Sequence, residues 1–145
     1  LLVFPYTLEG RVVPGQRRGA KLGFPTVNLH DVHTLVPLDG VYAGVATTAR
    51  GDRYGAAIHV GKNLTFGAVE QTVEAHLIGF SGDLYGQVVE VNFFQRLRAT
   101  EKFKDTHALV EQLRDDVLQV ESLSQLNLGT HQLERVSLTS ASFSR

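Results

Sequence analysis

Apolar and polar residues alternate in short runs over the first two-thirds of the chain, and glycine-bearing turns separate the runs. Val73, Ala75 and Leu77 interleave with Thr72, Glu74 and His76. That period of two puts the two sets on opposite faces of a strand. Runs rich in β-branched and aromatic residues recur at 7–13, 26–29, 41–48, 53–60, 72–80 and 87–94, and each is predicted to be a strand. Arg50-Gly51-Asp52 reads as a hairpin turn between the third and fourth runs, and Ser81-Gly82-Asp83 as the same device between the last two. About six short strands with few helices favour a mainly β fold, a closed barrel or a sandwich.

The period changes at Asp105. Leu109, Leu113 and Val117, with Val110, Val120 and Leu123, follow helical i, i+3, i+4, i+7 spacing. Asp105 or Thr106 is placed to cap the N-terminus. Glu111, Gln112, Arg114 and Asp115 fall on the solvent side, so the segment reads as an amphipathic helix packed on the β-structure. After Leu123 the chain is rich in Ser, Thr and Gln; Leu126, Leu128, Leu133, Val136 and Leu138 suggest a weak strand or a docked arm. The expected organisation is one domain over 1–123 and a tail over 124–145.

Composition narrows the function classes. At 145 residues, 43% hydrophobic and 20% charged, the chain suits one globular domain with its own core. A formal net charge of −1 gives no electrostatic case for nucleic acid or an anionic membrane. Without Cys there is no disulfide framework, thiolate catalysis or Cys-ligated zinc. No run of about 18 apolar residues spans a bilayer, and the cytoplasm is the expected compartment. A first residue Leu and the absence of Met read as a piece excised from a longer protein.

Candidate chemistry concentrates in five places. The loop Gly15-Gln16-Arg17-Arg18-Gly19-Ala20-Lys21 is glycine-rich and basic; its N–H groups and charges suit phosphate, and a solvated turn is the alternative. It lacks the Walker A string. Thr26 and Asn28 follow, two residues apart after Pro25, and therefore face the same side of a strand. Their hydroxyl and amide oxygens are hard ligands that suit Mg²⁺ with phosphate; local bonds to backbone are the alternative. Glu74 is the best candidate for a catalytic group, a mid-strand carboxylate off the core face and able to take a proton from a hydroxyl. His76 reads as a neighbour that shapes the site, and no histidine shows zinc-ligand spacing. Tyr85 sits in a turn where its ring can lie against a planar ligand or pack, and residues 98–103, which hold Arg98, Glu101 and Phe103, form either a ligand flap or a charged link.

The order of these motifs resembles the riboflavin kinase family, the flavokinase module of bacterial bifunctional riboflavin kinase/FAD synthetases. The matching segments are Gly10-Arg11-Val12-Val13 with Gly15 and Gly19, Leu22-Gly23-Phe24-Pro25-Thr26-Val27-Asn28, Pro37 with Gly40-Val41-Tyr42-Ala43, Gly61-Lys62-Asn63-Leu64-Thr65-Phe66, Val73-Glu74-Ala75-His76-Leu77, Asp83-Leu84-Tyr85-Gly86, and Leu97-Arg98 with Glu101 and Phe103. The resemblance implies a six-stranded antiparallel Greek-key barrel with a C-terminal helix. It implies ATP-dependent phosphorylation of the riboflavin 5′-hydroxyl, giving FMN and ADP. By the same resemblance Thr26 and Asn28 hold Mg²⁺ and phosphates, Gly15, Gly19 and Lys21 belong to the loop over ATP, and Leu77 and Tyr85 contact the nucleotide. The resemblance also implies that Glu74 activates the ribityl hydroxyl and that Arg98, Glu101 and Phe103 bind flavin. The implied partner is a covalently linked N-terminal FMN adenylyltransferase domain. The chain departs from the family's pattern at Val27, where Ala is usual, at Leu64, where Pro is usual, and at His59, where Asn is common. The last two support an alternative reading, a flavin- or nucleotide-binding barrel with weak or lost kinase activity.

Overall fold

The structure, a computed structural model, describes residues 6–14, 22–30, 36–65 and 68–143, with side chains described except at 63–65, 68–70 and 125–143. Six strands run in chain order: β1 (Tyr6–Val13), β2 (Val27–His30), β3 (Gly40–Thr47), β4 (Arg53–Thr65), β5 (Ala68–Leu77) and β6 (Val88–Arg98), followed by one helix, α1 (Thr106–Phe143). They close into a barrel in the order β1-β2-β5-β4-β3-β6, every neighbouring pair antiparallel. The mainly β reading thus resolves in favour of the barrel.

Alternation decides what fills it. Leu8 and Val12 of β1, Ile58 and Val60 of β4, Val73 and Ala75 of β5, and Val89, Val91 and Phe93 of β6 are buried and form one core cluster. Tyr42 joins them edge-on to Phe93, with ring centroids 5.1 Å apart. The interleaved residues of β5, Thr72, Glu74 and His76, are only partly buried and face outward.

Turn chemistry explains one connection and not another. At Thr48–Asp52 the chain reverses through backbone bonds from Gly51 to Thr48 and from Thr48 to Asp52, with Gly51 at φ +93°, and β3 pairs with β4 as the sequence suggests. Ser81-Gly82-Asp83 does not close a hairpin: β5 pairs with β2 and β4, whereas β6 pairs with β1 and β3. The turn residues only reverse the chain locally. The segment then crosses the barrel end, where Leu84 enters the core and Gly86 and Gln87 exchange backbone bonds with Val12.

Helix α1 packs on β3 and β4. Asp105 is its N-cap; its Oδ1 accepts from the Ala108 N–H at 2.8 Å. Gly55 allows close approach, since a methyl group there would meet Ser124 Oγ at 3.3 Å and Val120 at 3.6 Å. The helix does not stop at Leu123. Its backbone continues to Phe143, where the sequence suggested a strand or arm. No proline lies between 106 and 143 to end it.

Candidate functional site

A cavity of about 750 Å³ lies outside the barrel wall, between β3, β4 and β5 on one side and α1 with the 99–105 connection on the other. Its volume falls within the range of small-molecule sites. Thr26, Glu74, Arg98, Glu101 and Phe103 all line it, so residues spread over more than 70 positions of sequence meet in one place.

Register explains the convergence. Asn28 of β2 lies directly opposite Glu74 of β5. Glu74 in turn lies opposite His59 of β4, His59 opposite Val41 of β3, and Val41 opposite Arg98 of β6. These five residues form one row across the barrel wall. Directly opposite residues on neighbouring antiparallel strands bring their Cβ atoms within roughly 4.5–5.5 Å, so Asn28 and Glu74 stand side by side on the barrel wall. Thr26 sits just before β2, on the side of Asn28. His76, two residues beyond Glu74, donates from Nδ1 to the Pro25 carbonyl at 2.6 Å and meets Phe24 edge-on. It therefore holds the Phe24-Pro25-Thr26 segment against β5.

The other wall is built on an ion pair. Arg98 donates from Nε and an NH2 group to both carboxylate oxygens of Asp116, at 2.9 and 2.8 Å. Asp116 is 2% exposed and also accepts from Gln112 Nε2 at 2.9 Å. Arg98 further lies 3.8 Å from Glu101 and stacks over the Phe103 ring at 5.7 Å. Three positions of the 98–103 connection are thus tied to α1 through one guanidinium. Leu109, Leu113 and Val117 supply an apolar helix face to the same cavity.

Several sequence expectations fall elsewhere. Gly15, Gly19 and Lys21 lie outside the described residues. Leu77 is 4% exposed and belongs to the barrel core, not to the cavity lining. Tyr85 is 44% exposed beside the Val12 end of β1 and outside the cavity lining; its N–H bonds to Asp83 Oδ1 at 2.9 Å, and the next residue bonds to Val12. Gln112, assigned to solvent by periodicity, is half-buried because Asp116 draws its amide inward. Asp116 itself escaped the sequence reading. Its signal was present: position 116 stands three residues after Leu113 and four before Val120, on the apolar stripe, where a carboxylate needs a buried partner.

Comparison with known proteins identifies the family. The family model described as Flavokinase: Riboflavin kinase matches residues 2–124. The chain is 37% identical over 117 residues to a bifunctional riboflavin kinase/FMN adenylyltransferase of Haemophilus influenzae, covering 81% of this chain and 38% of that protein. It spans under two-fifths of the length of the curated relatives it matches first. Among solved structures it is similar to a riboflavin kinase of Trypanosoma brucei, with a TM-score of 0.63 and 25% identity over 92% of this chain and 85% of that one. A Streptococcus pneumoniae chain described as a macrolide-efflux protein is also similar, with a TM-score of 0.74 and 36% identity over 81% of this chain and 38% of that one. Among the described residues no helix is long and apolar enough to cross a membrane.

Proposed function

The chain belongs to the riboflavin kinase family, and on that premise we propose that it transfers the γ-phosphoryl group of ATP to the 5′-hydroxyl of riboflavin, giving FMN and ADP. The observation that carries this reading is the Asn28–Glu74 pairing at the edge of a cavity whose other wall is Arg98, Glu101 and Phe103.

In this mechanism the Glu74 carboxylate accepts the proton of the 5′-hydroxyl. The freed oxygen attacks the γ-phosphorus, the bond from that phosphorus to the β–γ bridging oxygen breaks, and ADP leaves with the electron pair. Thr26 and Asn28 offer neutral hard oxygens, and no group of three His, Asp or Glu fit to hold a metal occurs among the described residues. That donor set fits Mg²⁺ shared with nucleotide phosphates. When bound, the ion offsets charge on the transferring phosphoryl group. Gly15, Gly19 and Lys21 are assigned to a loop over those phosphates because they follow Val13, the partner of Asn28, in the sequence. Tyr85 flanks the Val12 end of β1, which suits the adenine side of the nucleotide. Leu77 serves that side only as part of the wall beneath it. Phe103 and the α1 leucines give the flavin ring an apolar bed, with Arg98 and Glu101 at its edge.

The relatives join a riboflavin kinase to an FMN adenylyltransferase, so we propose that the intact protein also carries that linked domain and acts in the cytoplasm on its own FMN. The kinase reading is tested by incubating the chain with riboflavin, ATP and Mg²⁺ and separating the flavins. FMN is the expected product. Flavin fluorescence quenched with no FMN formed would instead mean a binding barrel without turnover.

A further inference from the structure

Of the two oxygen ligands assigned to Mg²⁺ and phosphate, only Asn28 lies within the sheet. It pairs with Glu74, in a β2–β5 ladder that runs from Leu29 and Val73 to Val27 and Ala75. Thr26 stands one residue beyond the last pair, where the same register continues toward His76. Pro25, next in line, carries no N–H and cannot extend the ladder with a donor of its own. Among the described residues no backbone bond outside the strands reaches Phe24, Pro25 or Thr26. Pro25 and Thr26 are exposed, so burial does not hold them either.

His76 supplies what the ladder lacks. A carbonyl oxygen only accepts, so the 2.6 Å bond to the Pro25 carbonyl places a proton on Nδ1. The same ring meets Phe24 edge-on, with centroids 5.7 Å apart and planes at 69°. One side chain thus engages both residues that precede Thr26. Its own support is firm, because His76 pairs with Ala57 within the long β4–β5 ladder. Ligand groups keep a productive geometry only when the residues behind them are themselves fixed.

We infer that His76 is the positioning residue for the nucleotide half of the site. Through the Pro25 carbonyl it sets Thr26 beside Asn28, and nucleotide affinity, not flavin affinity, depends on its Nδ1–H. This rests on the riboflavin kinase reading. In this role the imidazole acts on the backbone and moves no proton; Glu74 remains the base.

Two variants separate the hydrogen bond from the ring. His76→Phe keeps a ring against Phe24 and removes the donor. His76→Asn removes the ring and keeps an N–H donor at the place of Nδ1. For wild type and both variants, Mg·ADP binding is measured by titration calorimetry, riboflavin binding by fluorescence, and the melting temperature without ligand. His76→Phe is expected to weaken Mg·ADP binding about tenfold, the size of effect one hydrogen bond has. Its riboflavin affinity and melting temperature are expected to match wild type, because the exposed Pro25 carbonyl turns to water. His76→Asn is expected to recover most of the Mg·ADP affinity. In turnover the same split appears as a raised KM for Mg·ATP with the KM for riboflavin unchanged. Unchanged Mg·ADP affinity in His76→Phe would overturn the inference and leave the kinase reading intact. Equal losses of Mg·ADP and riboflavin, a lowered melting temperature in His76→Phe, or no recovery in His76→Asn would make His76 a structural residue and overturn it as well. A wild-type chain that binds neither Mg·ADP nor riboflavin would bring down both.

Discussion

A methyl group at Gly44 would lie 2.0 Å from the Asn92 carbonyl oxygen, part of the backbone of the paired strand. No rotamer change relieves a clash with backbone, so β3 and β6 would have to separate there. Gly44→Ala is therefore expected to destabilise the barrel by about 3 kcal/mol or more, read as a fall in the urea midpoint. The face of Glu74 and His76 was legible from alternation alone, because Val73, Ala75 and Leu77 claim the core side of β5. The same logic shows Leu77 to be a core residue, and only the motif match had placed it by the nucleotide. Asp116 was not read because its partner, Arg98, is 18 residues away on another element, and spacing within a helix does not point across to a strand. His59 was legible only as a departure from a pattern; its place beside Glu74 needed the register.

At the scale of elements, the site depends on how α1 is held against β6. The Arg98–Asp116 pair fixes the end of β6 to the helix, and register shifts beside Ala43 and Val41 bring that end opposite Val41. Asp116 is almost fully buried, so removing its charge leaves the guanidinium facing a neutral amide in a desolvated place. Asp116→Asn is expected to cost about 3 kcal/mol in urea unfolding and to weaken riboflavin binding, because Arg98, Glu101 and Phe103 lose their common anchor. Unchanged stability and unchanged riboflavin affinity would show that the 98–103 connection does not rely on this pair. Each strand was legible to within a few residues from its β-branched runs. The 81–83 turn was not, because Gly and Asp report that the chain bends and carry nothing about which strand it pairs with next. The reach of α1 to Phe143 was hidden by a polar composition that lacks a clear apolar stripe.

For the whole molecule, closure of the barrel pairs every strand on both sides among the described residues and leaves one outer wall lining the cavity. Its interior also sets an alkaline limit. Burial pushes the Tyr42 phenol above its ordinary value of 10.0, with Arg96 pulling the other way, while its hydroxyl donates to the Leu38 carbonyl. Between pH 10 and that raised value the unfolded chain loses the phenolic proton and the folded chain keeps it. The unfolded state then binds fewer protons, so stability falls as pH rises through this window. Melting temperatures from pH 8 to 11 are expected to drop less steeply in Tyr42→Phe than in wild type. The central claim is that the row across the outer wall is a phosphoryl-transfer site with Glu74 as its base. The most direct measurement is the rate of FMN formation from riboflavin and Mg·ATP by Glu74→Gln beside the wild-type chain, with riboflavin affinity measured on both. The account predicts FMN from wild type, a loss of about 10²–10⁴-fold in the variant, and riboflavin affinity retained. Turnover by Glu74→Gln at the wild-type rate would contradict it.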